Sequence, residues 1–261
     1  MYTQCEGFDP QQLYRGYKKP GARLLSARLV TAAKVTSDPR LTHMVMQWGQ
    51  FLDHDLDHSL EAVSRETFGT GQTCGSTCEA APPCFPIPIP PEDARRPPPE
   101  GDSQHRCIEF TRSSAACGSG ATAVFFERLQ QREQVNQLTA FIDASQVYGS
   151  SRDLANALRN LTNDFGRLRE GLTYDYGPLP LLPFNDAHPV DCRRDPRESS
   201  IGCFLAGDIR ANEQLGLLAM HVVWFREHNR IAEALRDINP HWDGDRLYQG
   251  TTLIYSHQRY S

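Results

Sequence analysis

Trp48-Gly49-Gln50-Phe51-Leu52-Asp53-His54-Asp55-Leu56-Asp57 sets one imidazole among three carboxylates, inside a segment from Met44 to Leu60 that is otherwise apolar. An uncompensated charge is expensive to bury, so each acid must be paired, protonated, metal-bound or chemically consumed. The pattern predicts a helix that begins near Asp38 or Thr42 and ends near Leu60. On it Gln50, Asp53, His54 and Asp57 share one side at three- and four-residue intervals, while Phe51 and Leu52 turn toward packing. Asp55 falls off that face and calls for a partner of its own.

The rest of the chain bounds what kind of site this is. Its 261 residues, 39% of them apolar, suffice for one large domain or two modest ones. With 27 basic and 32 acidic residues, a net charge of −5 and no basic run, nucleic acid and anionic membranes are poor main partners. No apolar stretch reaches the length of a membrane span. The first residues, Met1 to Glu6, lack the basic start and apolar core of a secretory signal.

The cysteines nevertheless point outside the cytosol. Cys74, Cys78, Cys84 and Cys107 surround a proline-rich stretch, and Cys192 and Cys203 bracket a short polar segment. Zinc competes for Cys74 and Cys78, but a four-thiolate site usually repeats such a pair, and the later cysteines are singly and unevenly spaced. Disulfides are therefore the expected state. Cys5 and Cys117 remain as a pair or as free ends. Asn160-Leu161-Thr162 is an N-glycosylation acceptor. Together these features predict a secreted, extracellular chain that lacks its true N-terminus.

Breakers organise what lies between. Residues 1 to about 40 read as an irregular entry with small turns, and residues 68 to 105 as a long cross-linked loop, because their prolines cannot sit in a helix interior. Helices are predicted over Arg132–Val147, Ser151–Arg159 and Ala211–Ile238. The last carries Leu215, Leu218, Val222, Phe225, Ile231 and Leu235 at helical intervals and stops before Pro240. Residues 172 to 203 are again loop-like. Strand signals are sparse, so the class is mainly α.

Two further polar constellations stand out. Arg210, Glu213 and Gln214 put a cation, a carboxylate and an amide on one helix face, although Asp208 as cap and Glu213 on the dipole would be an ordinary helix start. Thr139, Asp143 and Ser145 supply oxygens with backbone carbonyls between them, as a calcium shell needs, with Asp55 available to complete it. Alternatively Thr139 and Ser145 are local backbone caps. His221 and His228, seven apart on the long helix, are more simply packing residues than ligands. His43 reads as structural, and His58 and His105 as exposed.

The motifs at 48–57, Phe141-Ile142-Asp143-Ala144-Ser145-Gln146-Val147-Tyr148-Gly149, and Arg210-Ala211-Asn212-Glu213-Gln214 followed by Met220-His221 and Trp224-Phe225-Arg226-Glu227-His228-Asn229-Arg230 resemble the animal haem peroxidases, and within them the peroxidasin branch. The resemblance runs in consistent order from about Gly16 to about Tyr248. It implies the family's fold, with long disulfide-linked loops, over one partial domain of residues 1–261, family-like to about 248 and followed by a divergent tail at 249–261.

The resemblance also implies roles. His54 is the distal acid–base that moves a proton of hydrogen peroxide. Arg210 stabilises the charge that develops as the O–O bond breaks, and Gln50 holds distal water or a halide. Asp53 and Glu213 are ester links to haem b, which removes their charges, and Gln214 borders the cofactor where some members carry a methionine that makes a third link. Asp55, Thr139, Phe141 through its carbonyl, Asp143 and Ser145 bind calcium. Cys74 pairs with Cys84, Cys78 with Cys107, and Cys192 with Cys203. Implied substrates are hydrogen peroxide with a halide, bromide above all, or an organic donor, and the implied partner is collagen of the extracellular matrix.

One departure stands against this. The family's axial histidine lies in a Phe-Arg-x-Gly-His segment downstream of the arginine helix, and no such segment occurs here. A haem iron needs an axial ligand, so the expected fold is incomplete on its C-terminal, proximal side. The alternative function is a non-catalytic fragment stabilised by calcium and disulfides.

Overall fold

A computed structural model describes residues 13–32, 34–62, 74, 78, 83–96, 107–117, 124–129, 132–173, 177, 179–185, 187–192, 195 and 197–258. The chain divides into two compact units, Met1–Ser37 with Ser59–Asn136, and Asp38–His58 with Gln137–Ser261.

The first unit holds short antiparallel pairs: β1 (Leu13–Tyr14) with β2 (Tyr17–Lys18), β3 (Ile87–Pro88) with β4 (Cys107–Ile108), and β5 (Val124–Phe125) with β6 (Arg128–Leu129). Helix α1 (Ala22–Leu29) occupies part of the stretch expected to be irregular, and Arg23 on it pairs with Asp93. Disulfides Cys74–Cys84 and Cys78–Cys107 close the proline-rich stretch as the resemblance implied. Pro88 stands opposite Cys107 in a two-residue pairing, short enough for a residue without an N–H. Cys117 is exposed and unpaired among the described residues, and Cys5 lies outside them.

The second unit is helical. It contains α2 (Met44–Asp53), α3 (Ser145–Tyr148), α4 (Arg152–Leu158), a 3₁₀ turn (Ile209–Asn212), α5 (Leu215–Ile238) and α6 (Gly244–Gln258). The mainly α class is therefore the class observed. Ser151 caps α4 by accepting the Leu154 amide, and Asp153 complements its first turn. Phe51, Val147, Leu205, Leu217, Phe225 and Tyr248 are among the side chains of the core.

Four expectations change. The first predicted helix runs only from Met44 to Asp53, and the chain leaves it in a turn at His54 to Leu56. The helix expected over Arg132–Val147 shrinks to Ser145–Tyr148. Gln134 and Asn136 instead make isolated bridges to Ala115 and Ser59, and Ala140 and Ala144 adopt φ of 58° and 67°. The predicted Ala211 start becomes a 3₁₀ turn, with α5 itself opening at Leu215 behind Gln214. Lastly, Leu215 is 84% exposed, and the stripe that α5 buries is Leu217, Met220, His221, Phe225 and His228.

That stripe includes two histidines, which a count of apolar residues passes over. His228 satisfies both ring nitrogens, one with the Tyr148 hydroxyl at 2.9 Å and one with the Gly166 carbonyl at 3.0 Å. Burial holds its pKa down at about 4, so it packs as a neutral ring. His221 sits edge-on against Phe51, with ring centroids 5.0 Å apart. His58 is half-buried rather than exposed, while His105 lies outside the described residues.

Candidate functional site

The end of α2 and the 3₁₀ turn before α5 build the site. Phe51 points into the core at 0% exposure and anchors α2, leaving the turn after Asp53 to carry His54 at 5% exposure. His54 Nδ1 is buried without a hydrogen-bond partner among the described residues, and the nearest opposite charge is Asp208 Oδ1 at 3.7 Å. Burial, then the nearby Arg210 cation, hold the imidazole below its ordinary pKa, against the opposing pull of Asp208, Asp53 and Glu213. His54 is thus a neutral base at neutral pH.

Arg210 is not on one α-helical face with Glu213 and Gln214, as the spacing predicted. It lies in the 3₁₀ turn, Glu213 follows at the turn's end, and Gln214 is extended as the cap of α5, its Oε1 accepting the Gly216 amide at 2.9 Å. This break brings the three toward α2 by a different route. Gln50 Nε2 donates to Glu213 Oε2 at 2.9 Å, and Gln214 Nε2 donates to Gln50 Oε1 at 2.9 Å and to Gln47 Oε1.

Met46, Gly49, Gln50, Asp53 and Gln214 border an open groove of about 650 Å³, within the size range of cofactor sites. Asp53 is exposed there, Glu213 is exposed beside Gln50, and Asp57 is exposed with its backbone carbonyl accepting from Arg210 Nη2 at 2.9 Å.

Gln47 and Asp208 are the residues that sequence reasoning undervalued. Gln47 is buried on the α2 face that carries Gln50, its amide against His43 Nε2 at 2.8 Å, and a Cβ on Gly216 would come within 2.5 Å of its Cδ. Its i, i+3 relation to Gln50 was the available signal. Asp208, expected only as a helix cap, does accept the Arg210 amide but also binds the guanidinium at two points. Burial would push its pKa up, and the Arg210 bonds and charge more than reverse this, so it stays ionised.

Asp55 does have its own partner. At 0% exposure its carboxylate accepts from the Ala144 amide at 3.0 Å, the Ser145 amide at 2.7 Å and Ser145 Oγ at 3.0 Å. Asp143 Oδ1 accepts from the same Ser145 amide at 3.1 Å, so Asp55, Asp143 and Ser145 are gathered. Thr139 Oγ1 instead accepts from the Phe141 amide at 3.5 Å, and Phe141 is 71% exposed. Among the described residues no group of three His, Cys, Asp or Glu side chains could by itself hold a metal.

The donor set suits a haem on its distal side: a buried neutral imidazole and a guanidinium, with exposed Asp53 bordering an open groove and exposed Glu213 bonded to Gln50 of that groove. Comparison with known proteins agrees. The animal haem peroxidase family model matches residues 3–258. Peroxidasin of Drosophila melanogaster is 53% identical over 98% of this chain and 16% of its own length. The human peroxidasin homolog is 51% identical over 97% of this chain and 17% of its own. Among solved structures, peroxidase A of Dictyostelium discoideum superimposes with a TM-score of 0.67 at 25% identity, over 97% of this chain and 45% of that one. The chain therefore spans about one sixth of the peroxidasins it matches, and over that span it belongs to the animal haem peroxidase family.

Proposed function

We propose that this chain forms the distal wall of a peroxidasin-type haem peroxidase site, which reduces hydrogen peroxide and oxidises a halide, bromide above all, or an organic donor. The observation that carries this is the juxtaposition of buried His54, half-buried Arg210 and the groove at Gln50 and Asp53. Asp53 and Glu213 would hold the haem through ester bonds, with Gln214 beside it. Haem, when bound, supplies the redox-active iron.

Every other task falls to the protein. His54 accepts a peroxide proton at Nε2, since Nδ1 faces Asp208, and returns it to the leaving oxygen. Arg210 offsets the negative charge that builds on that oxygen. Gln50 orients water or halide with its amide, which Gln214 and Glu213 hold. The test is reconstitution of the 261-residue chain with haem. A Soret band with peroxide turnover is expected. No band, or a band without turnover, would overturn the proposal for this polypeptide.

That failure would favour the second reading, a non-catalytic unit stabilised by disulfides and calcium. The disposition of the α5 histidines supports it, since His228 is bonded through both nitrogens and His221 is packed on Phe51. Neither lines the groove.

Calcium belongs to the same proposal. Asp55 and Asp143 would bind it with Ser145 Oγ, Thr139 Oγ1 and the Phe141 carbonyl, an all-oxygen set suited to a hard cation. It would tie the turn after α2 to the 139–145 loop. Asp143→Ala is expected to lose stoichiometric calcium by elemental analysis, and retained metal would leave the loop as a hydrogen-bonded cap alone.

An extracellular setting, with matrix collagen as partner, completes the reading. Three disulfides support it, as such bonds persist in oxidising compartments. The acceptor Asn160 agrees, and among the described residues no helix is long and apolar enough to cross a membrane.

A further inference from the structure

We propose that Asp208 is a positioning residue, whose carboxylate fixes the Arg210 guanidinium so that only its Nη1 edge is offered to a ligand. The inference rests on the reading of Arg210 given above. A guanidinium carries five N–H donors in a rigid plane. Arg210 Nε donates to Asp208 Oδ1 at 2.9 Å, Nη2 donates to Asp208 Oδ2 at 2.7 Å, and Nη2 donates again to the Asp57 carbonyl at 2.9 Å. Three of the five N–H groups are thereby engaged. The two on Nη1 have no partner among the described residues.

The clamp has only one place to go. Asp208 is 1% exposed at its side chain and Arg210 16%. A buried carboxylate is retained where it is paired and hydrogen-bonded, and the two-point pairing with arginine sets orientation as well as charge. Gly207 brings Asp208 in close, because a Cβ there would meet the Val147 carbonyl carbon at 2.5 Å. The Asp57 carbonyl comes from the turn after α2, so the same guanidinium is referred both to the 3₁₀ turn and to the segment that bears His54. Asp208 Oδ1 also stands 3.7 Å from His54 Nδ1. One carboxylate thus sets the spacing of the two groups that act on peroxide.

The test reads Arg210 directly, in the haem-free 261-residue chain labelled with ¹⁵N-arginine. The Arg210 signals are assigned by Arg210→Lys. In the unaltered chain the Nε–H is expected to exchange slowly with water and the Nη signals to be resolved. Asp208→Asn keeps a capping oxygen and the side-chain shape but loses the charge. It is expected to speed Nε–H exchange by about tenfold or more, the scale of losing a charge-assisted hydrogen bond, and to average the Nη signals. Asp208→Ser, which also retains a capping oxygen, serves if the asparagine variant does not fold.

Unchanged Arg210 exchange in a folded variant would overturn the proposal, and so would loss of the folded state in both variants, which would make Asp208 merely structural. In the haem-loaded chain, Asp208→Asn combined with Arg210→Lys is expected to react with peroxide no more slowly than Arg210→Lys alone. A clear further loss would assign Asp208 a role of its own and overturn positioning. Failure to take up haem would defeat the peroxidase reading and leave the exchange measurement to decide the clamp.

Discussion

His54→Ala, made in a complete homologous enzyme, is expected to slow the reaction with peroxide by about two to four orders of magnitude, the usual worth of a positioned general acid–base. The size follows from the setting. The imidazole is 5% exposed, so bulk water is a poor substitute for it. Burial and the Arg210 cation hold it below its ordinary pKa, which keeps it neutral and able to take a proton at neutral pH. With Nδ1 turned to Asp208, Nε2 is the atom left for the transfer. Stopped-flow absorbance of the haem band measures the rate, and an unchanged rate would remove His54 from the mechanism.

Phe51→Ala is expected to destabilise the second unit by about 3–5 kcal/mol, the range for deleting a buried aromatic ring from a packed core. Phe51 has 0% exposure. Its ring lies nearly parallel to Trp224 with centroids 6.4 Å apart, stacks on Trp48 at 6.2 Å and meets His221 edge-on at 5.0 Å. Its carbonyl accepts from buried Gln146 Nε2 at 3.0 Å, so any shift of α2 disturbs a second buried group. Urea unfolding measures the loss. Leu253→Ala is the control, since at 74% exposure it should cost no more than about 0.5 kcal/mol. Equal effects of the two substitutions would show that α2 is not anchored through Phe51.

Much of the site was legible in the residue types. An imidazole and three acids in an apolar segment suggested that each acid needs its own compensation; Asp55 is buried and finds the Ala144 and Ser145 donors, whereas Asp53 and Asp57 are exposed to solvent. Breakers were legible as well: α5 ends at Ile238, before Pro240, and Cys192 pairs with Cys203. Helix lengths were less so. Asp55 draws the Ala144 and Ser145 amides toward itself while Ala144 stands at φ 67°, and so a segment with helical periodicity keeps only one turn of helix. Local propensity had no access to that contact, which is 89 residues away in sequence. Helix α6 was missed for a similar reason. Its stability comes from tertiary burial, with Leu247 and Thr251 fully buried, and its first residue Gly244 donates to Asp164 Oδ1 from a loop 80 residues earlier.

The sequence by itself determined the chemical inventory of the 48–57 segment, the mainly α class and the disulfide reading, because composition, spacing and breakers act locally. Only the tertiary structure decided how the inventory is used. Arg210, Glu213 and Gln214 meet α2 through a 3₁₀ break rather than along one helix face, and Asp208 passed for a cap until its distance to His54 was visible. Which atom faces which is set by packing between segments some 150 residues apart, such as Asp57 and Arg210. No local periodicity encodes that distance.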